Sequence, residues 1–92
     1  MTARPDPVAR LIAEQVLSGR GEFNTGNLRL HRLVSRELPD HPAAADAAAT
    51  GTHVHRVKAD LGALGIAVRR GPGPDGTRMW FFRLVAASED AQ

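Results

Sequence analysis

His53-Val54-His55, followed directly by Arg56 and then by Lys58, is the densest group of chemically capable side chains in the sequence. A histidine pair first suggests metal ligation. The segment has helical spacing, however, and residues i and i+2 of a helix point about 200° apart, so the pair cannot grip one ion. His31 and His41 lie elsewhere along the chain, no Asp or Glu has the accompanying ligand spacing, and the absence of cysteine excludes thiolate zinc sites and thiol nucleophiles. Neither a metal nor a cofactor is expected. Asp60 lies near His53 but has no nucleophile partner. The glycines at 71, 73 and 76 follow a strand and precede another strand, unlike a dinucleotide fingerprint, and no glycine loop leads into Lys-Ser/Thr. The residues therefore predict a protein that is not an enzyme.

Binding is the better expectation, and the distribution of charge carries it. Residues 1–49 balance six Arg against six acids, whereas residues 50–84 set Arg56, Lys58, Arg69, Arg70, Arg78 and Arg83 against only Asp60 and Asp75. A basic C-terminal half beside a neutral half suggests a face that attracts an anionic polymer. All but one of the twelve basic residues are Arg, the side chain suited to bidentate contacts with phosphate and guanine. An Ala-, Gly- and Pro-rich composition accompanies this bias, as a GC-rich genome would produce, so the bias itself carries little weight.

The elements that must position these residues follow from caps, breakers and apolar spacing. Asp6-Pro7 starts a helix with a capping acceptor and a first-turn proline, and Val8, Leu11, Ile12 and Val16 form its apolar stripe to about Ser18. Ser18-Gly19-Arg20-Gly21 stops it, and Glu22-Phe23-Asn24 is a short extended piece. Thr25 is placed to cap a second helix with Leu30, Leu33, Val34 and Leu38 inward and Arg29, Arg32 and Arg36 outward. Pro39 to Pro42 end that helix. Ala43 to Ala49 is nearly all alanine, either an extra helical turn or a loop, with a loosely packed turn preferred. Thr50-Gly51-Thr52 offers caps for a third helix to about Leu64, with Val54, Val57, Leu61 and Leu64 inward and Thr52, His55, Arg56 and Ala59 outward. Gly65 ends it. Ile66 to Arg70 and Thr77 to Val85 flank the turn Gly71-Pro72-Gly73-Pro74-Asp75-Gly76, which makes a β-hairpin. Trp80 and Phe82 share its core face. Met79 and Phe81 point the other way, either under helix 1 or into a dimer surface.

Ninety-two residues, 42% of them apolar and 4% aromatic, suit one small domain with a thin core. The expected organisation is an arm at 1–6, an α+β domain at 7–85 and a frayed acidic tail at 86–92. No apolar run approaches the roughly 20 residues of a membrane span, and the start lacks a signal-like stretch, so a cytoplasmic protein without a membrane partner is expected.

Helix, short strand, helix, helix and hairpin is an order that resembles the winged helix-turn-helix superfamily. The segment from Val57 through Leu64-Gly65-Ile66 to Arg70 carries most of the likeness, as the end of a recognition helix running into the first wing strand. Gly71 to Gly76 matches the wing tip. The resemblance covers about residues 7–85 as an order of elements. The connection from Leu38 to Thr52 departs from it, being longer than the usual tight turn.

The resemblance implies double-stranded DNA binding, with the third helix in the major groove and the wing on phosphate or the minor groove. On that reading Thr52, His55 and Arg56 contact bases, and a bidentate Arg–guanine pair is worth about 1–3 kcal/mol of discrimination. Thr50, Lys58, Arg69, Arg70 and Arg78 contact phosphate, and roughly five such contacts give a log–log salt slope near −4 to −5. A small transcriptional regulator, nucleoid-associated, is the first setting, and a plasmid or phage accessory factor the second. The alternative class is a winged-helix protein-interaction module or homodimer that uses Met79 and Phe81 as its partner face.

Overall fold

The computed structural model describes residues 6–85; the first five residues of the expected 1–6 arm and the acidic tail from 86 onward lie outside them, and Asp6 belongs to the first helix as its cap. The described residues form four α-helices, one 3-10 turn and a three-stranded antiparallel sheet, an α+β arrangement. Among them, no helix is long and apolar enough to cross a membrane.

Helix α1 runs Pro7–Ser18, and the Val8 amide donates to Asp6 Oδ1 at 2.7 Å, which satisfies one of the helix's orphan donors. Val8, Ala9, Leu11, Ile12 and Val16 form its buried stripe. Its end differs in detail from the expected glycine stop. Gly19 has a negative φ of −91°, while Arg20 and Gly21 take the left-handed region at 62° and 99°. Gly19 is required by space instead, because a Cβ there would collide with the Glu22 carbonyl oxygen.

Strand β1, Glu22–Thr25, leads into helix α2, Asn27–Glu37. Thr25 is not the cap: it is buried at the end of β1, and Gly26 takes the cap position without any side-chain bond. Leu30 and Val34 are buried on α2, with Leu33 and Leu38 partly covered. His31 Nε2 donates to the Ala44 carbonyl at 2.9 Å, which fastens the following loop to α2.

The alanine run divides in two. Pro42–Ala44 is a 3-10 turn capped by His41, whose Nδ1 accepts the Ala43 amide at 3.0 Å. Asp46 then caps helix α3, Ala47–Arg56, by accepting the Ala49 amide at 2.7 Å. The third helix therefore begins five residues before Thr52, and its first turn is made of the alanines themselves. Thr50 and Gly51 lie inside the helix rather than at its cap.

The helix is also shorter than expected. It stops at Val57 (φ −99°, ψ 11°), after which Lys58–Ala63 forms a separate helix, α4. Val54, Val57 and Leu61 keep facing the core through this break, but Leu64 is 38% exposed and leaves the inward stripe.

Strands β2, Ile66–Pro72, and β3, Arg78–Leu84, form the hairpin, closed by the Gly73 amide donating to the Thr77 carbonyl at 2.7 Å. The sheet order is β1-β3-β2, so β1 completes the sheet on the far side of β3. Trp80 and Phe82 are fully buried and stacked at 6.3 Å between ring centroids. With α1, Leu30, Val34, Val54 and Leu61 they make one core.

Candidate nucleic-acid interface

Helix α3 turns Gly51 and Val54 inward and leaves Ala48, Thr52, His55 and Arg56 exposed. At 100° per residue these four fall on one outward side. Thr52, His55 and Arg56 are the three residues for which base contacts are expected, and all three lie on that side. Lys58 is exposed too, but it opens α4, beyond the break at Val57, and does not continue the α3 surface.

Thr50 is removed from the expected phosphate set. It is fully buried, and its hydroxyl donates to the Ala43 carbonyl at 2.6 Å, tying α3 to the 3-10 turn. It is a bond inside the fold.

The hairpin register separates the two adjacent arginines. Arg70 pairs with Trp80 and Pro72 with Arg78, so Arg70 and Arg78 share the sheet face that carries Trp80 and Phe82. Arg69 pairs with Phe81 on the opposite face, and its guanidinium lies 4.4 Å from the centroid of the Phe81 ring. A strand turns successive side chains to opposite faces, so Arg69 points away from the helices while Arg70 points along them. Met79 and Phe81 share the outer face as expected. Both are half-buried, and Arg69 covers Phe81, so this face is not an open apolar patch.

On the inner face, Trp80 organises the junction between α3 and the hairpin. Its indole Nε1 donates to Asn27 Oδ1 at 2.5 Å, its ring meets His55 edge-on at 5.0 Å between centroids, and Arg70 lies over it at 4.5 Å. His55 of α3 and Arg70 of β2 are thus held by the same side chain. Within Arg70, Nε is buried without a hydrogen-bond partner. The cation is held by the indole face rather than by an acid.

Beside this junction lies an open cleft of about 840 Å³ between the start of α2 and the hairpin, lined by Arg29, Arg70 and Arg78 with Asn27, Leu28 and Ala47. None of the three arginines forms an ion pair among the described residues. Arg29 was legible only as part of an exposed arginine face on the second helix, and folding brings it to the hairpin. The one carboxylate on the rim is Asp75. The Thr77 amide and side chain hydrogen-bond to it and hold its carboxyl below the ordinary value of 3.8, so it is ionised at neutral pH.

A second constellation joins residues that the sequence keeps far apart. His53 Nε2 donates to Asp6 Oδ2 at 2.9 Å across 47 positions of sequence, and the His41 ring meets His53 edge-on at 4.7 Å between centroids. His53 and His55 do point apart: one faces Asp6, the other Trp80. The expectation that His41 lies elsewhere and that no Asp or Glu has ligand spacing to the histidines holds only along the chain: His41 and Asp6 both reach His53 by folding.

A scan against protein-family models, a search of curated proteins and a search of solved structures find no match to this chain.

Proposed function

We propose that this protein binds double-stranded DNA as a winged helix, with α3 in the major groove and the β2–β3 hairpin as the wing against the neighbouring backbone. The observation that carries the reading is the continuity of donor groups from α3 to the hairpin. Thr52, His55 and Arg56 are exposed on one side of α3, and Trp80 ties His55 to Arg70 at the edge of the three-arginine cleft. The order of elements, with β1 pairing to β3, agrees with that fold.

Roles divide by position. Arg56, Thr52 and His55 are the base-edge contacts, Arg56 being the one able to hold guanine through two bonds. Arg29, Arg70, Arg78 and Lys58 are the phosphate contacts, which add affinity without reading sequence. Arg69 and Thr50 drop out of that set and Arg29 enters it. Four phosphate-directed cations give a log–log salt slope of about −3 to −4.

A second reading, docking onto another protein, has its own observation. Leu64, Leu84 and Val85 are 38%, 42% and 47% exposed where the Val85 amide donates to the Gly65 carbonyl, at the end of the hairpin opposite its turn.

Fluorescence anisotropy with random-sequence duplex DNA at two salt concentrations, with light scattering on the same sample, separates the two. Binding that weakens with salt at about the stated slope supports the DNA reading. No binding at low salt, with a dimer or larger species in scattering, replaces it with the docking one.

A further inference from the structure

We infer that Asp6, His41 and His53 form a binding site for a divalent transition-metal ion of the zinc class, beside the proposed DNA-binding face, where His53 shares a shallow pocket with Thr52 and Arg56. The three side chains come from three separate places: the cap of α1, the cap of the 3-10 turn, and the last turns of α3. Their ligand atoms all lie within 4.8 Å of one another, and all three residues are half-buried. Zn–N and Zn–O bonds are about 2.0–2.2 Å long. At those lengths tetrahedral ligand atoms sit about 3.4 Å apart, so an ion among the three opens the 2.9 Å His53–Asp6 contact and draws the wider separations, within 4.8 Å, together by side-chain rotation.

The donor set selects the class of ion. Two imidazole nitrogens with one carboxylate oxygen suit zinc, cobalt or nickel, whereas calcium and magnesium require oxygen ligands in larger number. The carboxylate is already oriented, because Asp6 Oδ1 accepts the Val8 amide at 2.7 Å and leaves Oδ2 toward the histidines. Such a bond to the distal atom of a ligand is the support that metal-binding carboxylates ordinarily have. Three protein ligands leave a fourth tetrahedral position to solvent.

Binding requires two local adjustments. His53 donates from Nε2 to Asp6, so ligation through Nε2 requires that nitrogen to give up its proton. In His41, Nδ1 accepts the Ala43 amide at 3.0 Å, which places the ring proton on Nε2. Its ligation exchanges that amide bond for the metal bond, a cost of roughly tenfold in affinity. The ion would then tie the start of α1 and the 39–46 loop to α3, a link that the unfolded chain lacks. Binding to the folded state alone raises the melting temperature as the ion concentration rises.

The test uses the untagged full chain after treatment with a chelator. Co²⁺ is titrated while its visible absorption is followed, Zn²⁺ is then added to displace it, and melting temperatures are recorded with Zn²⁺, Mg²⁺ or Ca²⁺. The expected result is a saturable Co²⁺ absorption at one equivalent, bleached by Zn²⁺, and a melting temperature raised by Zn²⁺ but not by Mg²⁺ or Ca²⁺. His41→Ala and His53→Ala should each lose the saturable absorption, with folding of both variants checked by circular dichroism in chelator. No saturable absorption and no Zn²⁺-dependent melting shift in the unaltered protein overturns the site, whether or not the variants fold. An absorption that survives in both folded variants overturns it equally. DNA affinity enters neither readout, so failure here leaves the DNA reading standing and the reverse also holds.

Discussion

The guanidinium of Arg70 lies 4.5 Å from the centroid of the fully buried Trp80 ring, directly across the strand pair. One aromatic side chain thereby fills the core and sets the position of a cation at its edge. Trp80→Ala should destabilise the fold by about 3–5 kcal/mol, the range for large aromatic truncations, read from urea unfolding midpoints. Arg70→Ala should cost only about 0.5–2 kcal/mol of stability, and Arg70→Lys should recover little of it because an ammonium lacks the planar stacking surface.

Arg56 and Arg78 should separate in their effects on DNA. Arg56→Ala is expected to lower affinity for a selected site by about 1–3 kcal/mol while leaving random-sequence binding nearly unchanged. Arg78→Ala should weaken both alike and flatten the salt slope by about 1. Binding curves on matched and scrambled duplexes at several salt concentrations make the comparison. Equal losses on both duplexes for the two variants would remove Arg56 as a base reader.

Asp75 places a negative charge on the cleft rim beside Arg70 and Arg78. Neutralising it by Asp75→Asn should tighten duplex binding modestly, more at low than at high salt, since exposed charges are screened beyond roughly 10 Å at 0.1 M. The pH consequence has a definite sign. The folded-state pKa is lowered from 3.8 by the bonds from Thr77, so the contribution to stability is present above 3.8 and disappears as pH falls through the lower folded value. At neutral pH the variant should therefore test charge repulsion, while acid titration of the free protein tests the Thr77 bonds.

Gly51 distinguishes local propensity from packing. Alanine in a helix interior is favoured over glycine by about 1 kcal/mol. At this position a Cβ would lie 2.8 Å from the Asn27 side-chain nitrogen, and Asn27 is the acceptor for the Trp80 indole. Overpacking typically costs 1–3 kcal/mol, so Gly51→Ala should destabilise by about 1 kcal/mol net in urea unfolding. A stabilised variant would mean that Asn27 moves aside without loss.

Those outcomes rest on features that differ in how far they could be read from residue order. Asp6-Pro7 and the stripe from Val8 to Val16 define α1 to the residue, because a cap and a helical period are local properties of the chain. The glycine- and proline-rich turn likewise places the hairpin, and the outward side of Thr52, His55 and Arg56 follows from helical geometry even though the helix begins earlier than expected. The start at Asp46 was not expected, because a run without large apolar residues carries no period to announce a helix.

The rest required folding. Period-two alternation parts Arg69 from Arg70, yet only the pairing of Arg70 with Trp80 decides which of them lies along the helices. Thr50 looks like a surface cap until the Ala43 carbonyl is brought against it. Arg29 reaches the hairpin, and His41 and Asp6 reach His53, through contacts between segments remote in sequence. Residue order alone carries the Asp6 cap, the apolar periods and the hairpin turn, since these act within a few residues. The tertiary structure decided which charges and ligand atoms meet, because one shared core around Trp80 and Phe82 sets the relative placement of the elements that carry them.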